Sequence, residues 1–271
     1  MVSIPNFPAS HRLLEQEGHL FRMCLTSGLT ALRAAGTHDK GKFYSALFNI
    51  SIGLERICKS IVIIDRMLAN SMTPPTEKEM RTLGHNLITL HGSVYEIASR
   101  RHFVFPRLDQ SDEITIALIQ LIDDFARGSR YHNLDSLTSK TTTEDPLHVW
   151  HQILAEVLKK DLRPASVRRI LVRVHEAVAT IENNSIAIVT GLDGRSLSLQ
   201  EIFTEPALQD MALKHVVLRL IQFLSPYRDI LGDLCRQVYG FRGMPPIPQM
   251  QEFLEWVWDD PAYVLRKRCW P

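Results

Sequence analysis

Between Lys42 and Leu68 apolar side chains return every three or four residues, at Tyr44, Leu47, Phe48, Leu54, Ile57, Cys58, Ile61 and Ile64, with the small Ser51 in the same row. That spacing places them on one side of a helix as a continuous stripe, which other elements must cover. The same period runs through the rest of the chain. A helix is expected over 11–35, closed at Gly36. Thr73-Pro74-Pro75-Thr76 stops the long helix, and Thr76 with Glu79 reads as a capping box. Further helices are expected over 85–99 and from Ser111 and Glu113 to Phe125. Beyond the polar, breaker-containing stretch 138–146, helices are expected over 147–160, 165–188, 206–223, 226–239 and 248–258. Pro164, Pro206, Pro226 and Pro248 stand near the starts of four of them. Asp193-Gly194 marks a tight turn or short hairpin. The fold class is therefore all-α, with a helical domain over 1–140 and a C-terminal helical region over 145–271.

Charge narrows the function classes. The formal net charge of the 271 residues is +1, and basic and acidic residues balance on both sides of Lys140, which argues against a uniformly basic nucleic-acid coat. The four cysteines are scattered with no C-x-x-C pair, so they read as free thiols of a reducing compartment. The first residues meet a charged helix with no apolar run before it, and no apolar stretch approaches membrane-spanning length, so a cytoplasmic protein with no membrane association is expected. His148 and His151 lie one helical turn apart without a third ligand at metal spacing, and no phosphate-binding or dinucleotide glycine motif is present. No metal and no cofactor are called for.

The segment Phe125-Ala126-Arg127-Gly128-Ser129-Arg130-Tyr131-His132-Asn133 holds the densest candidate chemistry. A guanidinium can grip a phosphate through two parallel donors, and an imidazole can move a proton near neutral pH. On a regular helix residues five apart sit roughly 140° from one another, so Arg127 and His132 share a face only if the backbone turns between them; Gly128-Ser129 is the place for that turn. Upstream stand Phe48-Asn49 with Glu55 and Lys59, and Gly84-His85-Asn86-Leu87.

In this order and spacing the three segments resemble a HEPN domain, over roughly residues 40 to 140. That family pairs an F-N-x5-E-x3-K helix with a G-H-[DN]-L helix start and a late R-x4-6-H segment. The resemblance implies a metal-independent endoribonuclease or an RNA-binding protein, working as a homodimer with two R-x4-6-H segments facing each other. Such proteins occur in prokaryotic toxin–antitoxin and anti-phage systems, where an antitoxin or other protein is a partner. It assigns Arg127 to the phosphate and His132 to acid–base work, with Arg130, Tyr131, Asn133, Glu55, Lys59 and His85 in support.

Each group also has a plainer reading. Arg127 and Arg130 would cap a helix end and pair with Asp123, Asp124 or Asp135. Glu55 and Lys59 form an i, i+4 pair that supports a helix, and His85 would bond at a helix start. Lys159, Lys160, Arg168, Arg169 and Arg173 make a basic run that is either a track for RNA phosphates or a solvated helix face without stacking aromatics. The alternative function is a non-catalytic helical interaction module that dimerises or docks into a larger complex.

Overall fold

The computed structural model describes residues 7–139, 144–180, 188–238 and 244–271. Among them the chain is helical, with two isolated bridges (Gly36 to Asp39 and Thr190 to Ser196) and no strand. The long stripe becomes α2 (Lys40–Ala69), and α1 (Ala9–Arg33) lies antiparallel against it. Two glycines set their separation. A Cβ on Gly28 would stand 2.6 Å from Ile50 Cγ1 and 3.0 Å from the Ile50 amide nitrogen, and one on Gly53 would stand 2.6 Å from Leu25 Cγ.

The proline stop leads into the short α3 (Glu77–Thr82), which opens on the expected capping box: Thr76 Oγ1 accepts from the Glu79 amide and Glu79 Oε2 accepts from the Thr76 amide. Next come α4 (Leu87–Arg100) and α5 (Glu113–Arg127), both packed on α2. The cap of α5 is Asp112, not Ser111. Its side chain makes no bond to the helix's own amides; the carboxylate instead takes bonds from Thr115 Oγ1 at 2.5 Å and Arg219 Nε at 3.1 Å, which fix Asp112 at the cap position. After α5 follow the short α6 (His132–Leu137), α7 (Pro146–Asp161) and α8 (Pro164–Ala179), the last two starting on their prolines. The remainder of the helix expected to 188 falls largely outside the described residues.

Downstream the expectations need two corrections. In place of helices over 206–223 and 226–239 there is one helix, α9 (Leu199–Arg236), running through Pro206 and Pro226. An internal proline costs about 3 kcal/mol through its missing N–H and its clash with the preceding turn. Here the buried row Leu213, Val216, Val217, Leu220, Ile221, Leu224, Tyr227, Ile230, Leu231 and Leu234 continues past Pro226, and that burial outweighs the loss. The helix expected over 248–258 is a 3-10 turn, Met250–Leu254, and a further turn, α10 (Pro261–Val264), precedes the terminus. The Asp193-Gly194 turn forms, with Gly194 at φ +83° and the Gly191 amide donating to the Arg195 carbonyl at 2.9 Å.

α9 packs against α1, α2, α5, α7 and α8, and most of the buried apolar residues, from Leu14 to Trp270, form one contiguous core. At its centre His91 of α4 stacks on Phe223 and its Nδ1 meets Tyr227 Oη at 2.6 Å. The four cysteines are free thiols. No helix among the described residues is long and apolar enough to cross a membrane.

Candidate functional site

A cleft of about 810 Å³ opens between α2, the α3–α4 connection and the end of α5. α2 supplies Glu55 and Lys59, one turn apart, with Lys59 Nζ donating to Glu55 Oε1 at 2.7 Å. The connection supplies His85, whose Nδ1 lies 2.9 Å from that same oxygen. Gly84 makes this possible. It sits at φ +61° with nothing near its missing side chain, a left-handed conformation that turns the chain before α4 begins. Arg127 and Arg130 enter from α5 and from the 3-10 turn that follows it. Arg56 and Glu17 join at the rim through an ion pair of 2.6 Å.

Behind the cleft wall stands Asp123, fully buried. Its Oδ1 accepts from the Leu87 amide at 2.6 Å; its Oδ2 accepts from Asn86 Nδ2 at 3.2 Å and from Arg127 Nε at 2.8 Å. One carboxylate thus caps the start of α4 and holds the arginine at the end of α5, fixing the His85 turn and Arg127 to a common point. Arg127 Nη2 also bonds Asp124 at 2.5 Å. The plain pairing of Arg127 with Asp123 and Asp124 is therefore present, and it coexists with a place on the cleft.

The segment after Arg127 changes course as its glycine suggests. α5 ends at Arg127, Gly128 is extended at φ 169°, and Ser129–Tyr131 form a 3-10 turn before His132 opens α6. Arg130 lies over the Tyr131 ring at 5.0 Å. His132 does not line the cleft of its own chain; its Nε2 lies 3.5 Å from Ser136 Oγ. Asn133 Nδ2 donates to Tyr44 Oη at 3.2 Å, tying α6 to α2. The structure therefore gathers Glu55, Lys59, His85, Arg127 and Arg130, and leaves Tyr131, His132 and Asn133 beside that group.

The basic run is separate from the cleft. Lys160 faces Asp112 at 3.5 Å and Lys159 faces Glu156 at 3.8 Å, while Arg169 donates to Ser166 Oγ and Arg168 and Arg173 are exposed on α8. His148 bonds Gln152 one turn along, and no group of three potential metal-ligating side chains is gathered among the described residues.

Four cations (Arg56, Lys59, Arg127, Arg130) against two carboxylates (Glu17, Glu55) leave the lining itself two charges positive before His85 is counted, and Asp123 and Asp124, bonded to Arg127 from behind, bring two negative charges that formally balance it. What the lining offers an anion is the placement of its guanidinium donors, not an excess of charge. Sequence reasoning missed Asp123 as the organising group. Its signal was an acidic residue on the buried face of α5, four residues before Arg127. Glu17 and Arg56 carried no signal. Comparison with family models, with curated proteins and with solved structures returns no match to this chain.

Proposed function

We propose that the chain is a HEPN-like, metal-independent endoribonuclease or RNA-binding protein that seats a phosphodiester in the cleft between α2 and α5. The observation that carries the reading is convergence: residues from three separate motifs, Glu55 and Lys59, His85, and Arg127 with Arg130, line one cleft. A guanidinium has five donors, so the bonds of Arg127 through Nε and Nη2 leave Nη1 for a phosphate oxygen. Arg130 would take a second oxygen. His132 would protonate the leaving oxygen. The dimer implied by the resemblance sets two such segments face to face, which is how an imidazole outside its own chain's cleft would reach the linkage. A toxin or anti-phage role, with an antitoxin or similar protein as partner, belongs to the same reading.

One observation favours a second reading, the non-catalytic interaction module: Arg127 is already engaged by two carboxylates. The experiment is cleavage of single-stranded RNA in the presence of EDTA. The nuclease reading expects cleavage that Arg127→Ala and His132→Ala each abolish. The module reading expects none, with self-association preserved in both variants.

A further inference from the structure

We propose that His85, oriented by Glu55, is the general base of this cleft, taking the proton from the ribose 2′-hydroxyl. The proposal rests on the ribonuclease reading above. There His132 serves the leaving oxygen, and the attacking hydroxyl is left without an acceptor.

The geometry places a proton on one nitrogen of the ring. A carboxylate only accepts, so the 2.9 Å contact between His85 Nδ1 and Glu55 Oε1 requires the proton on Nδ1. In the neutral ring Nε2 then carries the lone pair, the form a base needs. Lys59 bonds the same Glu55 oxygen and holds that carboxylate in place from the other side. The Glu55 side chain is 23% exposed and that of His85 75% exposed, so the orienting group is sheltered and the reacting group is open to a ligand. Below the ring the α4 start is pinned: the Leu87 amide and Asn86 both bond Asp123, which also holds Arg127. Base and phosphate-binding cation are thereby set on one frame, the requirement for positioning both around a single reacting centre.

The step balances without a metal or an oxidant. His85 Nε2 accepts the 2′-hydroxyl proton as the 2′ oxygen forms a bond to phosphorus. The bond from phosphorus to the 5′ oxygen breaks, and that oxygen takes a proton from the imidazolium of His132 reaching in from the second chain of the proposed dimer. The products are a 2′,3′-cyclic phosphate and a 5′-hydroxyl. Arg127 and Arg130 face the charge that grows on the non-bridging oxygens.

The test is single-turnover cleavage of a labelled single-stranded RNA across a pH series by the full chain. His85→Ala should lower the rate by roughly 10²–10⁴-fold, the usual contribution of a general base, while RNA affinity is retained. Added imidazole should restore part of the rate, since the position is open to solvent. Glu55→Ala should lower the rate as well, and should add little once His85 is alanine. A purely structural role for His85 would not give the rescue. Wild-type rate in His85→Ala overturns the proposal and leaves the ribonuclease reading standing, as does a loss that imidazole does not restore. Absence of cleavage by the wild-type chain overturns the ribonuclease reading itself. In that case NMR of the His85 ring during titration with uridine 3′-phosphate decides the remainder. A shift absent in Arg127→Ala keeps His85 facing a bound phosphate, and no shift removes it.

Discussion

His91 is an ionisable side chain that the fold closes off from water. Phe105, Phe223 and Tyr227 surround its ring, and Tyr227 Oη lies 2.6 Å from Nδ1. Burial pushes the His91 pKa down to about 4 and pushes the Tyr227 hydroxyl up, so both are neutral and share one hydrogen bond. The sign of the pH dependence follows. Unfolded, the imidazole takes a proton near 6.5; folded, it resists until about 4. Stability is therefore whole above pH 6.5 and drains as pH falls towards 4, by on the order of 3 kcal/mol in all. Urea unfolding at pH 7 and pH 4.5 should show the loss in the wild type and a smaller one in His91→Gln. Nothing in the sequence near His91 announces this. The tyrosine that meets it stands 136 residues away, and an apolar helix face carries the same pattern with or without that partner.

Among the elements, the contact of α1 with α2 is set by a close backbone approach at Gly28. Ile50 crosses α1 at Gly28, close enough that an added Cβ would meet both its side chain and its amide nitrogen. A side chain there cannot be absorbed by one rotamer change; the helices must move apart. Gly28→Val should lower the unfolding free energy by about 1–3 kcal/mol, the usual cost of overpacking, measured by urea denaturation followed by circular dichroism. Local devices of this kind are legible where all their parts lie within a few residues, as in the capping box of Thr76 and Glu79 or the turn at Gly194. α9 was misread because proline is a local signal and burial is not. Pro206 and Pro226 mark breaks that the surrounding helices override from outside. The reverse happens over Met250–Leu254, where an apolar row forms only a 3-10 turn against α1 and α9.

At the scale of the molecule, the buried residues before and after residue 140 meet along α9 in one core. A single core unfolds as a unit, so tryptophan fluorescence, which reports Trp150, Trp256, Trp258 and Trp270, should give the same urea midpoint as far-ultraviolet circular dichroism, which reports every helix. Separate midpoints would mean that the two halves melt independently. The candidate cleft was half legible at this scale. Its side chains stand out in the sequence as short motifs, yet their meeting depends on Asp123 joining two helix ends, a three-dimensional fact with no spacing rule behind it. The course of α9 also bears on reuse of the protein as a component. A designer who excised the first five helices for grafting onto another scaffold would strip away the rod on which α1, α2 and α5 lean. The graft would carry a greasy trough along its back, and would need a substitute helix in trans before it could be handled at useful concentration.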